Sequence, residues 1–202
     1  MPSSFAAAGI RSRSRTMKTF ISAAFLFASV MPAQDVAPPP KPPEGPSLEV
    51  TMKFLEDKLT DENKLSYKTF VSDSGQSGGE WTNQFKVEIT KVVADAKACR
   101  ISFHWRSEVN GKVSDDNDYS IVLKDARDIV VMLQEQNQKQ IDTRSGHSSW
   151  TSRIEPNLST LIVRRPKGLE NAFLFSEEEM AGRVAKAMVH AVELCGGGKE
   201  PF

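Results

Sequence analysis

The spacing of hydrophobic residues changes along this chain from a helical period to a strand period and back again. Leu48, Met52, Leu55 and Leu59 recur every three or four residues, which predicts a short amphipathic helix with Ser47 as its N-cap. From residue 65 the period falls to two, as in strands that bury one face. Alternation is weak over residues 65–71, and a Gly/Ser-rich loop follows over residues 72–79.

Seven later segments alternate more clearly and are predicted to be strands. They lie at residues 85–89, 99–105, 119–123, 129–133, 150–154, 161–163 and 173–175. Asn110-Gly111 predicts a tight hairpin turn, because both residues tolerate positive φ. The connections are short, so the strands are expected to form an antiparallel meander in which residues 150–154 and 161–163 pair around Pro156-Asn157.

A second helix is predicted at the end of the chain. Ser176 and Glu179 have the spacing of a capping box, and Gly196 begins a glycine run that would end the helix in a left-handed turn. Its apolar face comprises Met180, Val184, Ala187, Met188, Ala191, Leu194 and Cys195. The prediction is an α+β fold: an antiparallel bent sheet or partly open barrel of about seven strands, with an N-terminal helix and a capping C-terminal helix.

The N-terminal part predicts export. Lys18 precedes an apolar run at residues 20–31 that is too short to cross a bilayer, as in a signal peptide ending near Ala33. The residues before Met17 are either an extension or the product of an early start codon. Residues 1–33 are therefore assigned to a signal peptide with an extension, 34–46 to a Pro-rich linker, 47–198 to a single domain and 199–202 to a tail. The mature chain is expected to have no stable membrane span.

Charge excludes one class of partner. The chain carries 26 basic and 26 acidic side chains, and four of the basic ones lie within residues 1–33, where there is no acid. The remaining 22 basic and 26 acidic residues give a formal charge of −4. Since nucleic-acid binding depends on a basic surface, no nucleic-acid partner is expected. The expected partner is an unidentified protein or small ligand.

Cys99 and Cys195 are candidates for a disulfide. Cys99 has the parity of Ile101 and Phe103, and Cys195 lies on the apolar face of the last helix, so both are predicted to point inward. In an oxidising compartment such a pair favours a bond, which would tie the helix to the sheet. The alternative is two buried thiols too far apart to bridge.

The remaining polar clusters do not form a recognisable catalytic or metal motif. His104 and Arg106 lie on the polar side of their strand, while His147 and His190 are predicted at the surface. Residues 114–118 are rich in oxygen ligands, as calcium requires, but lack the Gly and Glu of an EF-hand loop, so a solvated acid cluster is favoured. Residues 145–149 lack a hydrolase elbow and are predicted to be a polar turn, and residues 164–167 a basic turn that is either solvated or holds an anion.

Two resemblances follow from these segments. The order of seven strands and a closing helix resembles the pleckstrin-homology-type barrel. Residues 97–105 and 173–197 are similar to a group of small uncharacterised exported bacterial proteins, over roughly residues 47–198. That group implies no activity and no cofactor.

The sequence therefore predicts an exported, non-enzymatic binding or scaffold domain of unknown ligand. The alternative is an enzyme whose site is assembled from dispersed residues such as His104 and Arg106. A cleft that holds His104 near a carboxylate would favour the enzyme. An open apolar groove or exposed sheet edge would favour binding.

Overall fold

A computed structural model gives the fold and describes residues 45–62, 64–75 and 78–197. The predicted signal peptide, most of the Pro-rich linker and the tail lie outside the described residues. The helices are α1 (Leu48–Asp61), α2 (Gln134–Arg144) and α3 (Glu178–Leu194). The strands are β1 (Lys64–Asp73), β2 (Gly79–Asp95), β3 (Arg100–Val109), β4 (Lys112–Val122), β5 (Asp128–Leu133), β6 (Trp150–Glu155), β7 (Ser159–Arg165) and β8 (Leu169–Phe175).

The predicted α+β class is confirmed, with eight strands in the described part of the chain. They form a five-stranded antiparallel sheet in the order β4-β3-β2-β1-β6 and a three-stranded antiparallel sheet in the order β5-β7-β8. Neither sheet closes into a barrel. The weakly alternating residues 65–71 belong to β1, which pairs on both sides with β2 and β6.

The predicted meander holds only for the first four strands. The chain then passes between the sheets, so that β6 joins the first sheet and β7 the second. The pairing predicted between residues 150–154 and 161–163 is therefore wrong. Every residue of β7 from Ser159 to Val163 is buried, since this strand lies between β5 and β8 and is covered on both faces. Such a strand has no polar face, and its alternation gives no information about its partner.

The N-terminal helix is confirmed. Ser47 caps it by accepting a hydrogen bond from the backbone N–H of Val50 at 3.4 Å. Met52, Leu55 and Leu59 are buried against β2 and α3. This helix and α3 share the main core with residues from both sheets, including Ile101 and Phe173.

The closing helix α3 is also confirmed, but its predicted capping box is wrong. The helix begins at Glu178, and its N-cap Glu177 makes no side-chain capping bond. Ser176 instead hydrogen-bonds to Glu62 at 3.3 Å, because the start of α3 lies beside the end of α1. The buried stripe of α3 includes Ala181 and Val192, which were not part of the predicted apolar face.

The predicted glycine stop of α3 is confirmed in detail. Gly196 has φ +77°, and its N–H donates to the carbonyl of Glu193. The N–H of Gly197 donates to the carbonyl of Val192, which completes a Schellman motif. A β-carbon on Gly197 would lie 3.0 Å from the backbone of Lys124, so the helix end packs closely on the segment that follows β4.

The Cys99–Cys195 disulfide is confirmed, with Cα atoms 5.9 Å apart. The predicted setting of Cys99 is wrong, because it lies at φ +49° in the turn before β3 rather than in the strand. Asp95 forms that turn by accepting hydrogen bonds from the backbone N–H groups of Lys97 and Ala98. The bond therefore joins the β2–β3 turn to the C-terminal end of α3.

Helix α2 was not predicted, and it buries polar residues while exposing an apolar one. Gln134, Asn137 and Asp142 are buried, while Ile141 is exposed. Gly146, at φ +84°, ends it in a second Schellman motif before His147, which confirms the polar turn predicted at residues 145–149. Two other polar residues of α2, which are not fully buried, bond to the edge of the large sheet.

Candidate functional site

The two edges of the five-stranded sheet are treated differently. At the β6 edge, Glu135 of α2 accepts a hydrogen bond from the N–H of Ile154 at 2.7 Å. One turn later, Lys139 donates to the carbonyl of Trp150 at 2.7 Å. Polar side chains of α2 thus make two of the backbone bonds that a further strand would make. Helix α2 therefore covers the β6 edge.

The β4 edge is open near its centre, at Asp118. Near its end, the carbonyl of Ser120 accepts a hydrogen bond from Arg165 at 3.4 Å, so this carbonyl points away from β3. In an antiparallel pair the backbone groups of alternate residues point the same way, which directs those of Asp118 and Asp116 outward as well. Among the described residues, no partner is found for the outward N–H and carbonyl of Asp118. The N–H of Asp116 contacts only the adjacent Asp115 carboxylate.

A β-bulge shapes this edge. Ser107 pairs with Asp115 and Glu108 with Val113, which leaves Ser114 as an extra residue in β4. The Ser114 hydroxyl lies 2.8 Å from that of Ser107, and this contact secures the bulge. Beyond the bulge, Asp115 and Tyr119 face the small sheet, whereas Asp116 and Asp118 face solvent. The predicted acid cluster is therefore divided between the two faces of a strand.

Charged residues alternate across the solvent face of the sheet. Glu88 pairs with Lys64 at 3.2 Å, and Arg106 pairs with Asp116 at 3.0 Å. Glu88 and Arg106 lie opposite each other on neighbouring strands, so the four residues form one row of alternating sign. Arg106 also donates a hydrogen bond to Glu108, and this bond raises the already high pKa of Arg106. The row is a set of solvent-exposed pairs, each of which contributes little to stability.

His104 meets only half of the condition set for an enzyme. Its Nδ1 lies 2.8 Å from Asp118 and its Nε2 2.9 Å from Asp116. Both ring nitrogens are therefore occupied by carboxylates, and neither is left for a substrate proton. The nearby depression of about 260 Å³ on this face is lined by Arg106 and other charged residues but not by His104.

A second cleft lies between β4 and β8. Its volume is about 220 Å³. Phe103, Trp105, Asp115, Tyr119, Glu170, Asn171 and Ala172 line it. The Tyr119 hydroxyl donates to Asp115 at 2.7 Å, and this hydrogen bond lowers the pKa of Asp115. The same bond raises the pKa of Tyr119, because it favours the neutral hydroxyl.

The other predicted polar positions have structural partners. His147 stacks on Trp150 with ring centroids 3.9 Å apart. His190 lies 2.9 Å from the carbonyl of Pro46 and is largely covered, contrary to the prediction of a surface position. Arg164 of the predicted basic turn binds Asp128 and Glu170, so its charge is matched by two carboxylates.

Neither metal ligation nor a transmembrane helix is indicated where the structure describes the chain. No cluster of three or more His, Cys, Asp or Glu side chains there is arranged to hold a metal ion. None of its helices has both the length and the apolar character needed to cross a bilayer.

Sequence reasoning found the acidic residues of β4 but missed what surrounds them. The open edge depends on strand order, and the cleft depends on β8 lying opposite β4, which no local pattern specifies. Comparison of the chain with models of protein families, with curated proteins and with solved structures gives no match.

Proposed function

We propose that the protein is an exported, non-enzymatic binding module that takes up a basic, extended polypeptide segment as an added strand along β4. The observation that carries this proposal is the contrast between the two edges of one sheet. The β6 edge is closed by Glu135 and Lys139, whereas β4 presents outward backbone groups at Asp118. Unpaired backbone groups on an edge strand are a template for strand addition.

The chemistry of the partner follows from charge. The strand β4 carries three aspartates and one lysine. Residues 34–202 are acidic as a whole, with 22 basic and 26 acidic side chains. A basic segment would be drawn to this edge, and two copies of the acidic strand would repel each other. A basic segment is therefore favoured over a second copy of the chain.

Export is the setting that suits this proposal. The signal-peptide pattern of residues 1–33 supports it, and a disulfide such as Cys99–Cys195 persists in oxidising compartments. The antiparallel α+β arrangement is as predicted, while the resemblances to the pleckstrin-homology-type barrel and to small exported bacterial proteins stay predictions. These resemblances imply no ligand.

The test is binding of a synthetic decapeptide of alternating lysine and threonine, measured by isothermal titration calorimetry with the full chain. Asp118→Pro removes the outward N–H and keeps the backbone bonds to β3, because Pro is tolerated on the open side of an edge strand; it also removes the contact of Asp118 with His104. It should weaken binding about tenfold or more, since an unsatisfied peptide carbonyl costs about 1–3 kcal/mol. Asp118→Asn keeps the N–H and should weaken binding less than about threefold, as expected for an exposed charge.

Two further peptides guard against a folding defect in the proline variant. A glutamate–threonine decapeptide tests charge, and a lysine–threonine decapeptide with N-methyl groups on alternate residues tests backbone pairing. The proposal predicts that neither binds the unaltered protein. Equal affinity for the N-methylated and unmethylated peptides would overturn strand addition.

An enzyme is the second candidate, and the observation that favours it is that His104 lies within hydrogen-bond reach of a carboxylate, which is one half of the condition stated for an enzyme. The same decapeptide serves as its test. Mass spectrometry after prolonged incubation should recover the peptide intact if the protein only binds it. Cleavage or modification that disappears in His104→Gln would establish the enzyme instead.

A further inference from the structure

The cleft between β4 and β8 has the composition of a cation site. Trp105 and Tyr119 supply aromatic rings, and Asp115 supplies a carboxylate. Aromatic faces attract ammonium and guanidinium groups through the ring quadrupole, most strongly where a nearby carboxylate adds its charge. At about 220 Å³ the cleft is several times the ~30 Å³ share of one water molecule, so it has room for a side chain.

Asp115 has no counter-cation in the part of the chain that the structure describes. Its carboxylate accepts hydrogen bonds from Tyr119 and Asn117, and no Lys, Arg or His among the described residues forms an ion pair with it. These hydrogen bonds, with that from Tyr119 the largest, lower the pKa of Asp115 and keep it charged. The cleft therefore contains a carboxylate whose charge is stabilised but not neutralised.

The other carboxylate that lines the cleft, Glu170, is already matched. Burial opposes ionisation of Glu170, but hydrogen bonds from Arg144 and Arg164 outweigh it and lower the pKa of this residue. The terminal nitrogens of Arg165 donate to Asn171 and to the carbonyl of Ser120, both neutral groups, and form no ion pair with Asp115. Of the two carboxylates that line the cleft, Asp115 is therefore the one without an ion pair among the described residues.

The position of the cleft relates it to the open edge. Asp115, Asn117 and Tyr119 have side chains on the face of β4 that is turned toward β8. In a strand added beside β4, every second side chain would lie on this same face. One such side chain, opposite the middle of β4, would be directed at the cleft.

We infer that this cleft recognises a lysine or arginine side chain of the added strand, held between Trp105 and Tyr119 with its charge against Asp115. The inference rests on the proposed function, and it adds a specificity pocket to a backbone-pairing edge. It assigns to Asp115 the selection of the partner, and to the outward backbone groups of β4 the sequence-independent part of the affinity.

The test uses a threonine-valine peptide that carries one central lysine, and a second peptide in which norleucine replaces that lysine. Affinities for the full chain and its variants are measured by isothermal titration calorimetry. The unaltered protein should prefer the lysine peptide about tenfold, as expected for a partly desolvated cation–π and carboxylate contact. Asp115→Asn keeps the shape of the side chain. It should abolish the preference for the lysine peptide without lowering the affinity for the norleucine peptide. Glu80→Gln, an exposed charge at the far end of β2, is the matched control and should retain the preference.

A small probe separates failure of the pocket from failure of the strand-addition proposal. Titration of the protein with n-butylammonium should shift the NMR signals of the Trp105 indole and the Tyr119 ring, and n-butyrate should not. Peptide binding with an unchanged lysine preference in Asp115→Asn would overturn the pocket but leave strand addition intact. Absence of peptide binding together with an ammonium-specific shift would overturn strand addition but support the pocket, and a shift with butyrate alone would overturn the cation assignment.

Discussion

The Cys99–Cys195 disulfide joins residues 96 positions apart, and replacing both with alanine removes that link. In the folded state the loss is small, because α3 keeps its other anchors. Ala181, Val184 and Met188 are fully buried, and the Schellman motif at Gly196 does not involve the sulfur atoms. The effect is therefore expected in the unfolded chain, which gains the conformational freedom that the bond had removed.

The magnitude follows from the length of the closed loop. For a loop of 96 residues, the loop-entropy relation gives about −16 cal/mol/K, or about 4.7 kcal/mol at 25 °C. A domain of this size has an unfolding free energy of roughly 5–15 kcal/mol, so the double variant should fold but be much less stable. At roughly 2–4 °C per kcal/mol, its Tm should fall by about 10–19 °C.

Urea unfolding followed by circular dichroism measures this change. The double variant should show the same native spectrum, a lower midpoint and a larger m-value, because its unfolded state is less compact. Adding dithiothreitol to the unaltered protein should reproduce the variant, and adding it to the variant should change nothing. A loss below about 1 kcal/mol with an unchanged m-value would refute the loop-entropy argument.

Three further outcomes are expected in unfolding experiments. Gln134→Ala removes the acceptor of the buried Thr160 hydroxyl and should lower the unfolding free energy by about 1–3 kcal/mol. Adding Thr160→Val to this variant should recover part of the lost stability. No recovery would contradict the assigned hydrogen bond. Gly197→Ala would place a β-carbon 2.8 Å from a neighbouring valine methyl and should destabilise the protein by about 1–3 kcal/mol. The β-carbon of Gly182→Ala meets nothing within 4 Å, so this variant should be slightly more stable than the unaltered protein. Equal effects of the two substitutions would refute the close approach at Gly197. Burial raises the pKa of Tyr67 from 10.0 to about 12, so its contribution to the unfolding free energy is complete below pH 10 and is lost as the pH rises through 12. In Tyr67→Phe the unfolding free energy should lack this fall at alkaline pH. The same fall in the variant would refute the assignment to Tyr67.

Local sequence patterns were sufficient to predict those elements whose apolar residues are buried and whose polar residues are exposed. The stripe that includes Leu55 defines α1, the Asn110-Gly111 pair forms the hairpin turn with positive φ at both residues, and Gly196 ends α3. In each case one short segment contains both the signal and the group that satisfies it. The disulfide was a correct inference from two inward-pointing thiols, although the turn that holds Cys99 was not foreseen.

Long-range order could not be obtained in the same way. Helix α2 has no apolar stripe because its buried face carries Gln134 and Asp142, whose partners in β7 and β6 lie beside it only once the sheets have formed. The strand β7 is buried on both faces, so nothing in it specifies which sheet it joins. The candidate cleft likewise depends on long-range order, since it exists only where β8 of one sheet lies opposite β4 of the other.

Amide hydrogen exchange along β4, measured by NMR with and without the lysine–threonine decapeptide, tests strand addition most directly. In the free protein the N–H groups of Asn117 and Tyr119, which pair with β3, should exchange slowly, and that of Asp118 should exchange fast. The peptide should slow exchange at Asp118 about tenfold or more, as expected for a newly formed ladder bond. Slow exchange at Asp118 in the free protein, or peptide binding that leaves this amide unprotected, would contradict the assignment of β4 as the docking edge.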